Sequence, residues 1–193
     1  MRNLVTGRAG GIGGGHNPDR SGAMRAWVGL GGNDDDSRAV LSAALALIGD
    51  HPDISLLRCS RMYRSRPWGV SNQPDFINAV AELKTELSPA DLLQSLLSIE
   101  NQLGRVRGGQ QWGARRIDLD LLTYEELKLK SKDLELPHPF MHLRAFVLVP
   151  LLELEPEFRI PGVGKAQHEL ELLGRRELES VQLLADEPQE SPI

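Results

Sequence analysis

The sequence is poor in several features that would each narrow its class. Its 193 residues contain one cysteine, Cys59, so no internal disulfide can form, which favours a reducing compartment such as the cytoplasm. No apolar run approaches the ~20 residues of a transmembrane helix, and we expect no membrane partner. Positive charge is in deficit, with 22 Lys and Arg against 27 Asp and Glu, which argues against a nucleic-acid partner. The Gly-x-x-x-x-Gly-Lys-Ser/Thr phosphate loop is also absent, which excludes that route to ATP.

The two ends of the chain differ in composition from its middle. Residues 1–23 are polar and rich in glycine, so we expect a disordered leader or a tag there. Residues 185–193 are acidic and contain two prolines, which predicts a disordered tail. The stretch between them, 24–184, is long enough for one domain with its own core, and we expect that domain to act as a monomer.

Apolar patterning over 24–184 predicts an alternation of strands and helices. Strands are expected at 26–30, 54–64, 76–83 and from 117 onward, and helices at 39–48 and 88–103. The order strand, helix, strand, strand, helix, strand is the split βαβ pattern of ferredoxin-like α+β folds. To this βαββαβ core we add a hairpin over 126–137 and C-terminal helices, the first over 140–154 with Pro150 inside it.

Two aspartates, Asp118 and Asp120, alternate with aliphatic residues in a predicted strand. Alternation places both carboxylates on one face, about 7 Å apart for a rise of ~3.3 Å per residue. Such a pair repels by roughly 2 kcal/mol at an effective dielectric of ~20, so it favours a cation between its members. A bare Asp-x-Asp is more often a solvated strand, but here arginines precede it, and oxygen ligands beside phosphate are typical of Mg²⁺ sites.

Basic residues on both sides of the acid pair suggest that an anion accompanies the cation. Arg105 and Arg107 follow a predicted helix end, where Arg107 could equally complement the helix dipole. That alternative is weaker for Arg105, which follows a glycine in the loop that leads to the acid pair. Arg115 would face away from Asp118 on a regular strand, and it reaches the site only if the strand begins after it. His138 lies between two prolines that stiffen its loop, which together with Arg144 would suit a phosphate clamp.

Aromatic and amide side chains indicate where a flat ligand could bind. Phe76 and Phe146 would ordinarily be core residues. Asn78 is harder to place in a core, because a buried amide needs hydrogen-bond partners that a heterocycle edge can supply. Trp68, in a loop with proline and glycine, is either a lid residue or a surface contact.

These motifs together resemble the 6-hydroxymethyl-7,8-dihydropterin pyrophosphokinase family of folate biosynthesis. The resemblance covers about residues 24–160. In chain order, the matching segments are Gly31-Gly32-Asn33, Tyr63-Arg64-Ser65, Gln73-Pro74-Asp75-Phe76-Ile77-Asn78, Glu100 with Gly104-Arg105-Val106-Arg107, Trp112-Gly113-Ala114-Arg115, Asp118-Leu119-Asp120-Leu121, Pro137-His138 and Arg144-Ala145-Phe146.

The resemblance implies transfer of pyrophosphate from MgATP to the pterin hydroxymethyl oxygen, with release of AMP. It implies that Asp118 and Asp120 hold two Mg²⁺ ions and that Arg105 and Arg115 share in catalysis. The residues expected to bind ATP are Glu100, Arg107, Trp112, His138 and Arg144. The residues expected to bind the pterin are Ser65, Trp68, Phe76, Asn78 and Phe146, with the two phenylalanines stacking on its ring.

The loop over 104–114 contains four glycines and resembles the family's closing loop, so we expect it to order over the bound substrates. Four positions depart from the family pattern: Gly32 replaces a serine, Gln111 a basic residue, Pro139 a tyrosine and Arg66 a proline. Two other functions remain open from the sequence. A non-catalytic ferredoxin-like nucleotide-binding module would not need paired carboxylates, and a metal-dependent nuclease would need a basic stripe.

Overall fold

The computed structural model describes residues 22–67, 73–105 and 115–185. Its core elements are β1 (Met24–Gly32), α1 (Ser37–Gly49), β2 (Ile54–Cys59), β3 (Tyr63–Ser65), β4 (Phe76–Thr85), α2 (Pro89–Gln102) and β5 (Asp118–Tyr124). They are followed by β6 (Leu129–Lys130), β7 (Glu135–Leu136), a 3-10 turn (Met141–Leu143), α3 (Ala145–Leu154), β8 (Arg159–Ile160), β9 (Gly164–Lys165), α4 (Ala166–Leu173), α5 (Arg175–Glu179) and β10 (Val181–Leu183).

A six-stranded antiparallel sheet organises the domain. Its order is β10-β3-β4-β1-β5, and β2 pairs with β4 as well. The predicted ferredoxin-like α+β fold is therefore confirmed, with β6 and β7 forming the expected added hairpin. No helix in the described ranges is long and apolar enough to cross a membrane.

The sheet separates two apolar clusters, because successive side chains of each strand point to opposite faces. On one face, Val28 and Leu30 pack with α1 and α2, and Ser88 caps α2 by accepting the Asp91 N–H at 3.2 Å. On the other face, Trp27 and Val80 pack with α3 and α4. One of the two cavities described below lies on this second face, next to α3, and the other lies at the β5 edge, next to α2.

The single strand predicted over 54–64 was wrong, because it is broken into β2 and β3. Both pieces pair along β4, but their registers differ. Between them the Ser60 hydroxyl accepts the Val80 N–H at 3.0 Å, so a side chain substitutes for the strand partner there. The helix predicted from residue 140 begins instead at Ala145, after the 3-10 turn, and does contain Pro150. The β8–β9 hairpin and β10 were not predicted.

Gly32, at the end of β1, occupies a position where the chain has no room for a side chain. A Cβ there would lie 2.6 Å from the carbonyl oxygen of Arg116. We expect Gly32→Ala to lower the free energy of unfolding by about 1–3 kcal/mol, the usual cost of overpacking. Gly49→Ala is the matched control, because its Cβ would meet no atom within 4 Å, and it should be neutral or stabilising. Urea unfolding of both variants checks this; equal stability of Gly32→Ala and wild type would contradict it.

Candidate active site at the junction of two cavities

The first cavity lies over the sheet between β3, β4, β1 and α3. It has a volume of about 750 Å³, counting the space open to solvent at its mouth. Gly29 and Gly31 form part of its floor, so β1 places no side chain into the cavity at these two positions. Its other lining residues include Ser65, Arg66, Gln73, Phe76, Asn78, Arg115, Asp118, Asp120, Arg144 and Phe146.

The residues predicted to bind a flat ring come together in this cavity. Phe76 and Phe146 are half-buried and line it, so they are not ordinary residues of a closed core. Asn78 is 4% exposed, and its side-chain Nδ2 donates to the Ser65 hydroxyl at 2.9 Å. This bond fixes the plane of the amide. The guanidinium of Arg144 lies 5.7 Å from the centre of the Phe146 ring.

The second cavity lies between the end of α2, β5 and the β6–β7 hairpin. Its volume is about 1070 Å³, again including open solvent, and Glu100, Arg105 and His138 line it. Asp118 and Asp120 line both cavities. The acid pair therefore stands where ligands of the two cavities would meet.

Asp118 is neutralised by arginines on both of its carboxylate oxygens. Arg105 Nη1 lies 2.7 Å from Oδ1, and Arg115 Nη1 contacts Oδ2. Arg105 is also ion-paired with Glu100, which is fully buried and whose Oε1 accepts the Leu119 N–H at 2.8 Å. Glu100 thus joins Arg105 to the backbone between the two aspartates.

Asp120 has looser basic neighbours and a perturbed acidity. Arg144 Nη1 lies 3.5 Å and His138 Nε2 lies 3.8 Å from its Oδ2. Burial, followed by the negative charge of Asp118, raises the pKa of Asp120 to about 7. The 38% of its side chain that is exposed faces the two cavities. Burial and the charge of Arg144 lower the pKa of His138 to about 4, so its ring is neutral at neutral pH and forms no ion pair with Asp120.

Arg115 faces the site because β5 begins three residues after it, at Asp118. Arg115 is therefore not part of the strand, and the alternation that would turn it away from Asp118 does not apply. Asn33, which is 1% exposed, holds its backbone: Oδ1 accepts the Arg115 N–H at 2.7 Å, and the Asn33 N–H donates to the Arg115 carbonyl at 3.0 Å. The same side chain donates to the Pro74 carbonyl at 3.3 Å. This role of Asn33 was not predicted, although an asparagine directly after a glycine-ended strand is a local signal for it.

The acid pair offers donors that suit Mg²⁺, which prefers carboxylate oxygens completed by water and phosphate. Among the residues described, no group of three or more His, Cys, Asp or Glu side chains is placed to hold a metal ion. A bound Mg²⁺ would therefore take other ligands from substrate or water. Trp68, Arg107 and Trp112, together with most of the expected closing loop, lie outside the described residues, so those predictions stay predictions.

Comparison with known proteins gives the geometry a family. The model of the 7,8-dihydro-6-hydroxymethylpterin-pyrophosphokinase (HPPK) family matches residues 27–156. The chain belongs to the HPPK family. It is 46% identical over 138 residues to the 2-amino-4-hydroxy-6-hydroxymethyldihydropteridine pyrophosphokinase of Methylorubrum extorquens, which covers 72% of this chain and 87% of that protein. The Pseudomonas aeruginosa protein of the same name is 41% identical over 161 residues, covering 83% of this chain and 97% of its own length.

Solved structures agree in fold. An HPPK-DHPS A437G structure of Plasmodium falciparum with pteroate matches with a TM-score of 0.68 at 13% identity, covering 86% of this chain. This chain spans 45% of that longer protein. A second A437G structure, with SDX-DHP, has a TM-score of 0.66 at 15% identity, covering 86% of this chain and 50% of that one. At such identities the likeness shows the fold alone.

The departures from the HPPK pattern can be placed in the structure. Gly32 lets the Arg116 carbonyl approach β1, which a serine would prevent without a shift of the backbone. Arg66 is exposed at the first cavity, and Pro139 lines the second. Gln111 lies outside the described residues.

The raised pKa of Asp120 predicts that the free energy of unfolding of the metal-free protein depends on pH. Its pKa rises from the ordinary 3.8 to about 7 on folding, so in this window the folded protein keeps a proton that the unfolded chain releases. The free energy of unfolding must then fall as pH rises through the window. We expect Asp120→Asn to raise the melting temperature, by an amount that grows from about pH 4 to about pH 7 and then levels off.

Melting curves in a chelating buffer at several pH values measure this effect. Asp133→Asn is the control, since it removes an exposed carboxylate and should shift melting equally at each pH. A pH-independent difference between Asp120→Asn and wild type would contradict the prediction.

Proposed function

We propose that this chain transfers the pyrophosphoryl group of ATP to the hydroxymethyl oxygen of 6-hydroxymethyl-7,8-dihydropterin and releases AMP. The observation that carries the proposal is the acid pair shared by two cavities, one lined by Phe76 and Phe146 and the other by Arg105 and His138. Membership of the HPPK family and the names of the relatives support the same reaction.

In this proposal the first cavity holds the pterin. Phe76 and Phe146 stack on its two faces, a contact worth about 1–3 kcal/mol per ring if it resembles base–aromatic stacking. Asn78, oriented by Ser65, reads the hydrogen-bonding edge of the ring. Trp68 borders the same ring in the proposal, on the grounds of the family resemblance.

The second cavity holds ATP. Arg105 and His138 contact its phosphates from the lining of this cavity, Arg105 as a cation and His138 as a neutral hydrogen-bonding ring. Arg115 and Arg144, which line the first cavity, reach the phosphates at the acid pair that the two cavities share. Because Glu100 is fully buried against Arg105 and Leu119, we assign it to the nucleotide side as a residue that orients Arg105. Arg107 and Trp112 complete the ATP site in the proposal, again by family resemblance.

Asp118 and Asp120 would hold the magnesium, and we propose two ions bound with the triphosphate. The metal would supply neutralisation of phosphate charge and alignment of the acceptor with the β-phosphorus. The residues of the chain contribute mainly position: the stacked ring fixes the acceptor, and the arginines fix the phosphates. No strong base is needed, because the alcohol proton can leave late in phosphoryl transfer.

Product analysis tests the proposed reaction. The protein is incubated with ATP, Mg²⁺ and the hydroxymethyl-dihydropterin, and the nucleotide product is identified. AMP formation that depends on the pterin is expected, and Asp118→Ala or Asp120→Ala should abolish it while the protein stays folded. Absence of turnover with intact ATP binding would favour the nucleotide-binding module, and ADP formation would exclude pyrophosphate transfer.

The arginines on Asp118 lead to a separate prediction about metal affinity. In the ligand-free protein a divalent cation must displace Arg115 from Asp118, so metal binds weakly until a polyphosphate gives that arginine another partner. We expect Arg115→Gln to bind Mn²⁺ more tightly than wild type without nucleotide, by up to about fivefold if the ion pair is worth about 1 kcal/mol.

Arg116→Gln is the matched control, because it removes the same charge from the next residue of the chain. The guanidinium of Arg116 lies near Asp34, with 3.9 Å between Nη1 and Oδ2. Titration followed by the electron paramagnetic resonance of free Mn²⁺ compares the three proteins. Equal affinities of Arg115→Gln and Arg116→Gln would show that Arg115 does not compete with the metal.

A further inference from the structure

The C-terminal strand β10 lies beyond residues 27–156, the part of the chain that the HPPK family model matches. It forms one edge of the main sheet and pairs antiparallel with β3. β3 has only three residues, and it lies between β4 on one side and β10 on the other. Removing β10 would leave this very short strand at an open edge.

β3 carries Ser65, which is 2% exposed and is the hydrogen-bond partner of Asn78. In the register of the sheet, Ser65 stands opposite Phe76 on β4 and opposite Val181 on β10. Directly opposed residues share a face of the sheet. The β10 strand therefore backs the part of β3 that orients the amide at the pterin cavity.

Val181 also packs behind α3, the helix that carries Phe146 of that cavity. It packs against the apolar cluster of α3 and α4, which includes Val147, and Phe146 packs against the same cluster. Val181 thus lies beside Ser65 of β3, which forms one wall of the cavity, and against the cluster of α3, which forms the other wall. No residue of β10 lines the cavity, but β10 contacts both the β3 wall and the α3 wall.

Two hydrogen bonds fasten the strand at its end. The Leu184 N–H donates to the Met62 carbonyl at 2.9 Å, just before β3. Arg38 of α1 donates from Nη2 to the Ala185 carbonyl at 2.5 Å. The segment 181–185 is thereby joined to β3 and α1, and through Val181 to the α3 cluster.

We propose that the segment 181–185 is a positioning element for the pterin, with Val181 as the positioning residue between the β3 and α3 walls. This inference rests on the proposed function, since it needs the first cavity to bind the pterin. Val181 and Leu184 do not line either substrate cavity, so they act through Ser65 and the α3 wall.

A pair of proline variants tests the backbone part. Leu184→Pro removes the N–H that bonds Met62, whereas Leu183→Pro removes an N–H that must point away from β3, because successive amides of a strand alternate in direction. Calorimetric titration measures the affinity for a non-hydrolysable ATP analogue alone and then the affinity for the pterin in the presence of that analogue. We expect Leu184→Pro to weaken the pterin by about tenfold, with nucleotide affinity within about twofold and Leu183→Pro near wild type.

Val181→Ala tests the side chain and decides the matter if Leu184→Pro fails to fold. It keeps every backbone bond of β10, and it should raise the KM for the pterin by about threefold with little change in the KM for ATP. Val181→Ile, which keeps the branched contact, should retain the wild-type KM. A general loss of stability would not produce this split between the two substrates.

The outcomes separate the two proposals. If wild type binds the pterin and both Leu184→Pro and Val181→Ala bind it equally well, the positioning role is wrong and the proposed function stands. If wild type binds no pterin, the proposed function itself is overturned, and the positioning role falls with it. Equal weakening of nucleotide and pterin would also overturn the inference.

Discussion

The site depends on the mutual repulsion of two carboxylates that one strand holds on the same face. At a spacing of about 7 Å, Asp118 and Asp120 cannot both be charged in a sheltered place without compensation. In the ligand-free protein arginines supply it, and the surrounding structure serves to hold those arginines. Glu100 is buried to retain one of them, and Asn33 fastens the backbone of another. The pKa of Asp120 is raised first by burial and then by the negative charge of Asp118, which the arginines do not fully compensate.

The two faces of β1 differ in role: one packs in the core, and the other, which has glycines, borders the first cavity. Along β1, Val28 and Leu30 fill the core beneath α1 and α2. The residues that point the other way, Gly29 and Gly31, leave a hollow under α3 where a ring could lie. Trp27, further along the same face, is a core residue, and the cavity ends before it. A small domain thus obtains a cavity by omitting side chains from half of one strand face.

Local chemistry predicted those parts of the molecule whose causes are local. Period-two alternation correctly placed Asp118 and Asp120 on one face, and the Ser88–Pro89 start predicted α2. The break at Ser60 was missed because its cause, a bond to Val80, is distant in sequence. The role of Asn33 was missed for the same reason. The strand parity of Arg115 could be settled only by knowing where β5 begins, which long-range pairing with β1 decides.

The position of β10 at the end of the described chain bears on how the domain is made. A ribosome delivers β1, β4 and β5 before β10, so the centre of the sheet can pair before β10 emerges. Until then β3 presents an unpaired edge, the kind of surface on which two nascent chains can associate. The brevity of β3, three residues, limits that exposure to a single short stretch of backbone. Among the strands that the structure describes, the last in the chain is the one that covers this edge.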